Sequence, residues 1–335
     1  MQKQAGALMR AEISEAPARF IAMIERDLQK LDVTALLEAR AIYTIARGSS
    51  DAAANILAYE MMQVLGKPVT SLPPSVFSLG AGVDMRGAVG LVISQSGASR
   101  DLVQACQGVQ DHGGTGIVLT NTETSPASQI ADLSIDIEAG PELAIPATKS
   151  VIATLAAGMA LLGRLAPHYQ PSCKQAAEQM RVASTLPPAL DGALIAALQT
   201  GDPVYIIGRG AGFGAAQELA LKFKECAALH AEAYSASEVL HGPLQLATKP
   251  LNAIILDTQD PEIQPSLDIA ATRLSEASAR VFRLSPADFG VPEARGASAA
   301  AILLYALYPL VHDLTLALGM DPDTPETLAK ITDTV

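Results

Sequence analysis

The stretch IYTIARGSSDAAANILAYEMM (residues 42–62) recurs without a gap as VYIIGRGAGFGAAQELALKFK (residues 204–224). The second copy begins 162 residues after the first, and tyrosine, isoleucine, Arg-Gly, Ala-Ala and Leu-Ala recur in register. In each copy a short β-rich apolar run meets a glycine turn and then an alanine-rich helical pattern, which predicts a strand, a loop and a helix. The chain is therefore predicted to contain an internal repeat.

Further apolar runs of the same kind follow both copies. After the first come AVGLVISQ, DLVQACQGVQ, GIVLTN and LSIDIE, and after the second come LNAIILDT, a helix from about residue 266, and RVFRLS. Strands that alternate with helices form parallel βαβ units with helices on both faces of the sheet. The prediction is an α/β chain of two tandem doubly wound parallel-sheet domains, and a single large α/β domain is the alternative.

The predicted organisation has five parts. They are an N-terminal helical segment (1–34), a first domain (35–165), a helical linker (166–198), a second domain (199–320) and a C-terminal tail (321–335). The most apolar run, from Ala299 to Val311, is short of a bilayer span and is interrupted by Pro309. We interpret it as a buried helix.

Composition narrows the function classes. The chain has 335 residues and is 49% hydrophobic, which is enough for a large buried core. Its net charge of −12 argues against a nucleic-acid or anionic-membrane partner, because such binding depends on basic patches. The cysteines (Cys106, Cys173, Cys226) form no CxxC pair and the start carries no apolar signal core, so we expect no disulfide framework, no zinc site and a cytoplasmic location.

The loop ISQSGASRD (residues 93–101) lies between a predicted strand and a predicted helix. Its side-chain donors are Ser94, Gln95, Ser96 and Ser99, while Gly97 lets the backbone amides turn inward toward an anion. The positive end of the helix dipole adds to this attraction, so phosphate can be bound without lysine. The loop is neither a Walker loop nor a dinucleotide fingerprint. The alternative is an ordinary turn with Ser99 as the helix N-cap.

A second loop, ARGSSDA (residues 46–52), places Ser49 and Ser50 at the same topological position one unit earlier. Because ligands bind at the carboxyl ends of parallel strands, the two serine loops are expected to converge on one anion. In the second repeat the counterpart of ARGSSDA is GRGAGFG, in which alanine and glycine replace the two serines. The counterpart of the other serine loop is LDTQDPE, which is acidic. The anion site is therefore predicted only in the first repeat. Arg47 and Arg209 occupy matching positions of the two repeats. Whether their role is structural is left open.

Seven motifs together resemble a known family. SQSG, ATKS, IGRG, ALKFKE, HAEAY, HGPL and LAKIT occur in the order and spacing of the double sugar isomerase (SIS) domain of glucosamine-6-phosphate synthase and its relatives. The resemblance covers about residues 35–335, and the spacing from Glu225 to His241 is its most specific part. RGSSD, ATKS and the leucine before HGP are more similar to stand-alone glucosamine-6-phosphate deaminases. The resemblance implies two flavodoxin-like SIS domains.

The resemblance also implies catalytic roles. Glu225 matches the base that moves a proton between C2 and C1 of the sugar, a task that a carboxylate performs by general acid/base exchange. Lys222, three residues earlier on the same helical face, pairs with it or stabilises developing enolamine charge. His241 matches a histidine that assists ring opening and that enters from the neighbouring subunit in the synthase. Lys330 matches the lysine of a tail that folds over the sugar.

The other expectations concern binding and structure. By resemblance the phosphate is held by Ser50, Ser94, Gln95, Ser96 and Ser99, with weaker contacts from Gly48, Ser49 and Ala147. The sequence departs from the synthase at Ala147, which is serine there, and at Glu326, which is arginine there. His230 is expected to be a buried structural histidine, and Glu232 and Glu238 to fix a loop. No role is assigned to His112, His168 or His312.

The resemblance predicts an enzyme without metal or cofactor. The synthase hydrolyses glutamine with an N-terminal cysteine, whereas position 2 here is Gln2. We therefore expect a deaminase that converts glucosamine 6-phosphate and water into fructose 6-phosphate and ammonia, as a homodimer that shares His241 across its interface. The alternatives are a galactosamine-6-phosphate or fructosamine-phosphate deaminase, an aldose-ketose isomerase, and a non-catalytic sugar-phosphate sensor.

Overall fold

The structure is a computed structural model that describes residues 4–330. These residues form two compact units, each built around one parallel sheet. The five-stranded unit contains Ala18–Glu142 and Lys149–Ala177, and the four-stranded unit contains residues 4–17, Leu143–Thr148 and Glu178–Lys330. The helical segments predicted before and between the domains are thus divided between these two units.

The five-stranded unit is a doubly wound sheet. Its strands are all parallel, in the order β2-β1-β3-β4-β5. They are β1 (Ala41–Ile45), β2 (Val69–Ser71), β3 (Ala88–Ser94), β4 (Thr115–Thr120) and β5 (Leu133–Asp136). Helix α1 (Ala7–Glu25) contains residues of both units; the others here are α2 (Thr34–Glu38), α3 (Ser49–Leu65), α4 (Ser75–Ser78), α5 (Arg100–Asp111), α6 (Pro126–Ile130), α7 (Lys149–Leu165) and a 3-10 turn (Pro167–Tyr169).

The four-stranded unit repeats this topology. Its parallel strands are β6 (Val204–Gly208), β7 (Ala231–Ser235), β8 (Asn252–Leu256) and β9 (Arg280–Leu284), in the order β7-β6-β8-β9. Helix α8 (Gln170–Val182) contains residues of both units, and α9 (Pro188–Leu198), α10 (Ala211–Ala227), α11 (Gln264–Glu276) and α12 (Gly296–Ala317) follow. Three 3-10 turns cover Glu238–Leu240, Pro243–Thr248 and Pro286–Phe289.

The repeat extends to backbone angles. Gly48 and Gly210, which precede α3 and α10, have φ and ψ of 56° and −130° and of 58° and −133°. Such positive φ values favour glycine, which explains why both copies keep it. The prediction of two tandem doubly wound α/β domains is confirmed. The edge strands β2 and β7 were not predicted, because one is three residues long and the other, AEAYS, is rich in alanine and polar residues.

Helix α12 contains the most apolar run of the chain, and the interpretation of that run as a buried helix is confirmed. Among residues 4–330 it is the one helix long and apolar enough to cross a membrane. However, 78% of its most apolar window is buried inside the protein, and a core helix passes the same test of length and composition. The apolar character of α12 is therefore explained by its place in the core of the four-stranded unit.

Candidate active site

The predicted anion loops lie where the strand order of the five-stranded sheet reverses, at the carboxyl ends of β1 and β3. This switch point is the usual ligand site of doubly wound sheets. Ser49 and Ser50 lie in the first turn of α3 rather than in the loop before it. The Arg47 guanidinium donates to the carboxylate of Asp101, a fully buried residue in the first turn of α5. This ion pair links the two loops, and their convergence on one anion stays a prediction.

The buried side chain of Ser94 stabilises the turn of its loop. It is buried, and its Oγ accepts the Gly97 N–H at 3.1 Å. Gly97 has φ of +59°, and a Cβ there would collide with the side chains of Ser125 and Thr120. The turn therefore needs glycine for both its backbone angle and its lack of a side chain. Phosphate binding by Ser94 stays a prediction, and its side chain is more buried than those of the other polar residues of this loop.

Three other side chains of this loop are half-buried: Gln95, Ser96 and Ser99. The Ser96 Oγ accepts the Ala98 N–H at 3.3 Å, which leaves its own hydroxyl hydrogen able to donate. Ser99 occupies the N-cap position of α5, but its side chain makes no capping hydrogen bond. These side chains can therefore present donors beside the first turn of a helix, an arrangement suited to an anion.

The equivalent loop of the four-stranded unit has a matching positive backbone angle, but side chains of its own unit already occupy its hydrogen-bond donors. Gln259, at the position of Gly97, has φ of +61°. The Asp257 carboxylate accepts the Gln259 N–H and the Gln264 amide, both at 2.7 Å, and the Arg283 guanidinium at 2.8 and 3.0 Å. An internal carboxylate thus occupies the donors of this loop. This observation supports the predicted asymmetry between the repeats.

The predicted carboxylate and lysine pair lies on α10. Lys222 is fully buried, and its ammonium donates to the carboxylate of Glu225, whose side chain is 24% exposed. The second carboxylate is Glu218, fully buried and 3.7 Å from the Lys222 ammonium, and it accepts the Tyr308 hydroxyl at 3.1 Å. The result is a row of charged side chains that begins at the buried Glu218 and ends at the partly exposed Glu225.

The electrostatic environment differs among the charged side chains of α10, so each is suited to different chemistry. Burial alone would lower the pKa of the Lys222 ammonium, but the carboxylates of Glu218 and Glu225 outweigh burial and raise it. Lys222 therefore stays charged near neutral pH and cannot accept a proton. Burial also raises the pKa of the neighbouring Cys226 thiol to about 12, so it stays protonated. The partly exposed carboxylate of Glu225 is the member of the group suited to move a proton.

Sequence reasoning missed Glu218. The signal was present, because Glu218, Lys222 and Glu225 follow the i, i+4, i+7 spacing of one helical face. In an alanine-rich helix such a row of charges is often a solvated surface, and only the burial of Glu218 shows otherwise. Since a buried charge needs a partner, Glu218 is the group that keeps Lys222 in the core.

The position of Glu225 differs from that of the predicted anion loops. Those loops lie at the carboxyl ends of strands, where helices start. Glu225 lies near the end of α10, which spans Ala211–Ala227. At 1.5 Å per residue this is roughly 21 Å along the axis from the helix start. The Glu225 carboxylate therefore does not lie at the switch point of its own sheet.

His241 lies just after the 3-10 turn Glu238–Leu240, and it is exposed. Its backbone N–H donates to the Glu238 carbonyl at 3.1 Å, and its ring makes no hydrogen bond or ion pair with a residue in the range 4–330. The expectation for His230 is wrong: this histidine, which directly precedes β7, is exposed. The Glu232 carboxylate accepts the Tyr234 hydroxyl.

Lys330 and Ala147 lie in one region of the four-stranded unit. The Lys330 ammonium donates to the Ala144 carbonyl at 2.6 Å. The Asp323 carbonyl accepts the Ile145 N–H at 2.9 Å, which attaches the C-terminal segment to Leu143–Thr148. Residues 331–335, which complete the predicted tail and the LAKIT motif, lie outside the described residues.

The structure thus groups the predicted site residues by unit. The anion-loop residues belong to the five-stranded unit: Gly48, Ser49, Ser50, Ser94, Gln95, Ser96 and Ser99. The candidates for proton transfer and sugar contact belong to the four-stranded unit: Ala147, Lys222, Glu225, His241 and Lys330. Within residues 4–330, no three His, Cys, Asp or Glu side chains are grouped so that they could hold a metal ion.

We expect Arg47→Ala to lower the free energy of unfolding by about 3 kcal/mol, because it leaves the buried Asp101 carboxylate without its ion pair. This value is at the low end for such pairs, since the Arg47 side chain is 46% exposed. The matched control is Arg209→Ala at the same position of the repeat. Among residues 4–330, Arg209 bonds only the Ser235 and Ser237 hydroxyls, so about 1 kcal/mol is expected. Equal decreases in the free energy of unfolding, measured by urea denaturation, would show that the ion pair with Asp101 does not stabilise the protein more than the Arg209 hydrogen bonds do.

Comparison with known proteins identifies similar chains. The profile of the SIS domain matches residues 35–164 and 198–285. A glutamine--fructose-6-phosphate aminotransferase (isomerizing) of Aeropyrum pernix is 32% identical over 300 residues, covering 80% of this chain and 46% of that protein. A protein of the same name from Pyrobaculum aerophilum is 28% identical over 313 residues, covering 88% and 52%. The chain spans about half the length of these curated relatives.

Solved structures are similar over almost the whole chain. A protein from Silicibacter pomeroyi, provisionally described as a phosphosugar isomerase, has a TM-score of 0.82 at 30% identity, covering 94% of this chain and 99% of its own. A glucosamine-6-phosphate deaminase from Thermotoga maritima has a TM-score of 0.78 at 19% identity, covering 98% and 100%. At that lower identity the similarity concerns the fold alone.

Proposed function

We propose, from the premise that the chain belongs to the SIS domain family, that it is an amino-sugar phosphate isomerase that releases ammonia. The proposed reaction converts glucosamine 6-phosphate and water into fructose 6-phosphate and ammonia. The observation that carries the proposal is the Lys222–Glu225 pair, in which a buried ammonium holds a carboxylate that remains partly open to a substrate. The names of the curated relatives, which include fructose 6-phosphate and isomerisation, support the same substrate class.

The proposed course has three steps. His241 assists opening of the sugar ring, which gives an aldehyde at C1 and an amine at C2. Glu225 then removes the C2 proton and returns it to C1, while the C1 oxygen gains a proton and the nitrogen loses one, so the product is an imine of fructose 6-phosphate. Water adds to the imine carbon at C2, and ammonia leaves. Hydrolysis needs only water, whereas the reverse amination needs a supply of nitrogen, so we propose the degradative direction.

The charge on Lys222 explains its proposed part. Proton removal from C2 places negative charge on the enolamine, and a fixed ammonium nearby stabilises that charge as it develops. Because Glu218 keeps Lys222 charged and in place, no reorganisation is needed when the charge appears. Lys222 is therefore proposed as an electrostatic group and Glu225 as the base.

The phosphate of the substrate is proposed to bind at the switch point of the five-stranded sheet. Donors are available there from the side chains of Gln95, Ser96 and Ser99 and from the first turns of α3 and α5. Arg47 pairs with Asp101 through its Nε, and the proposed anchor uses hydroxyl, amide and backbone donors. It holds the phosphate end of the sugar and takes no part in proton transfer.

We expect Ser96→Ala and Ser99→Ala each to weaken the affinity for glucosamine 6-phosphate by about tenfold to a hundredfold. This corresponds to roughly 1.5–3 kcal/mol for a hydrogen bond to a charged group. Titration calorimetry measures it. Thr258→Ala, at the position of Ser96 in the filled loop of the second repeat, is the matched control and should leave affinity unchanged. Normal affinity in both serine variants would place the phosphate elsewhere.

A single experiment tests the reaction itself. Ammonia and fructose 6-phosphate are measured together after adding glucosamine 6-phosphate, with galactosamine 6-phosphate, a fructosamine phosphate and unaminated hexose phosphates as parallel substrates. The proposal requires ammonia and fructose 6-phosphate in equal amounts from glucosamine 6-phosphate. Interconversion of unaminated aldose and ketose phosphates without ammonia release would replace the proposal with a simple isomerase.

A further inference from the structure

The four-stranded unit contains a cavity that none of the proposed catalytic residues lines. Its volume is about 370 Å³, within the range of small-ligand sites. Its polar wall includes Arg10, Asp191, Tyr305, His312 and Asp313. Apolar residues complete the lining, so the cavity offers both a nonpolar surface and groups that can orient a ligand.

One wall of the cavity is a face of α12. Tyr305, Pro309 and His312 follow the i, i+4, i+7 spacing and all line it. A proline inside a helix has no N–H to donate, so the carbonyl four residues earlier loses its helical hydrogen bond. Here that carbonyl belongs to Tyr305. The Tyr305 carbonyl is therefore a hydrogen-bond acceptor of α12 that the helix itself does not satisfy.

His312 positions the charged side chains of the cavity wall through its hydrogen bonds. It is 2% exposed, and its Nε2 lies 3.0 Å from the Gly6 carbonyl, which can only accept, so Nε2 carries a hydrogen. Its Nδ1 lies 2.6 Å from the Asp313 carboxylate and 3.2 Å from the Arg10 guanidinium. Arg10 also donates to Asp313 at 2.5 Å. The Asp313 carboxylate is thus held in a fixed position at the cavity.

Asp191 is the second carboxylate of the cavity. It lies in the first turn of α9, is half-buried, and makes no side-chain hydrogen bond or ion pair with another residue of the part of the chain that is described. Burial and the negative charge of Asp313 both raise its pKa. Arg10, the basic side chain of this wall, already bonds Asp313. The cavity therefore holds one carboxylate that lacks a cationic partner and another close enough to repel it.

We propose that this cavity binds a small hydroxylated primary amine of the size of one hexosamine. Its ammonium would lie at the Asp191 and Asp313 carboxylates, where it relieves their repulsion and gives Asp191 the partner it lacks. Its hydroxyls would bond the Tyr305 carbonyl and the hydroxyl of Ser14 or Thr185, which also line the cavity. This inference does not depend on the reaction proposed at Glu225.

The test is titration calorimetry of the whole protein with glucosamine, which lacks the phosphate that the anion loops would hold. Glucosamine is expected to bind saturably, and glucose and N-acetylglucosamine at least tenfold more weakly, because neither carries an ammonium. Asp191→Asn should weaken glucosamine binding by tenfold or more, the loss expected when one hydrogen bond to a charged group disappears. Asp313→Asn should do the same.

Two control variants distinguish binding in this cavity from a general charge effect and from binding at Glu225. Glu293→Gln removes one exposed carboxylate from the same unit and should leave glucosamine binding unchanged. Glu225→Gln should also leave it unchanged. Binding that is lost in Glu225→Gln but kept in Asp191→Asn would place the amine at the catalytic carboxylate and overturn the proposal. No saturable binding, or equal binding of glucose, would also overturn it and leave Asp191 as an acidic residue that serves only its helix terminus.

Discussion

Glu225→Gln is expected to lower turnover of glucosamine 6-phosphate by roughly 10² to 10⁴-fold, the usual contribution of a positioned acid or base. Glutamine keeps the shape of the side chain but cannot accept a proton from C2. The fold should survive, because Glu218 still provides a carboxylate for the buried Lys222 ammonium. Coupled detection of fructose 6-phosphate gives the rate, and calorimetry gives the affinity, which should change little.

Glu293→Gln is the matched control for this substitution. Glu293 is an exposed carboxylate in the same unit, and its loss should leave turnover close to that of the unmodified protein. If Glu225→Gln kept near-normal turnover, Glu225 would not be the base, whatever the outcome for Glu293→Gln.

The second large effect concerns assembly. We propose a homodimer in which each His241 completes the site of the partner subunit. This fits its exposed ring, which makes no hydrogen bond or ion pair to a residue between 4 and 330. Glu225→Gln and His241→Asn proteins, each nearly inactive, are unfolded together and refolded as an equal mixture. About half of the dimers then contain both chains, and each has one site with both substitutions and one site with neither.

Activity should therefore return to about a quarter of that of refolded wild-type protein, by counting sites in a symmetric dimer with exchangeable chains. Each variant refolded alone is the control and should stay nearly inactive. If both groups act within one chain, every site carries one substitution and mixing restores nothing. Efficient refolding into mixed dimers without recovered activity would reject the shared site while leaving the role of Glu225 intact.

Much of the fold could be predicted because its signals are local. The repeat beginning at Ile42 and Val204, the glycine turns and the alternation of strand and helix patterns all lie within short stretches of chain. Such stretches report which face of an element is apolar and where it ends. The same is true of the serine loop after β3 and of the spacing between Lys222 and Glu225, where one helical turn brings the two side chains together.

The amino-acid sequence by itself thus determined the two parallel sheets, the position of the serine loop after β3 and the ion pair on α10. Only the tertiary structure decided which charged groups are paired and buried. Asp101 meets Arg47 across 54 positions of chain, and Asp257 meets Arg283 from a neighbouring strand. The exposure of His230 and the burial of Glu218 likewise depend on what packs against each residue. Periodicity describes one element at a time, whereas burial and ion pairing are set by elements distant in the chain, so these properties appear only when the sheets are assembled.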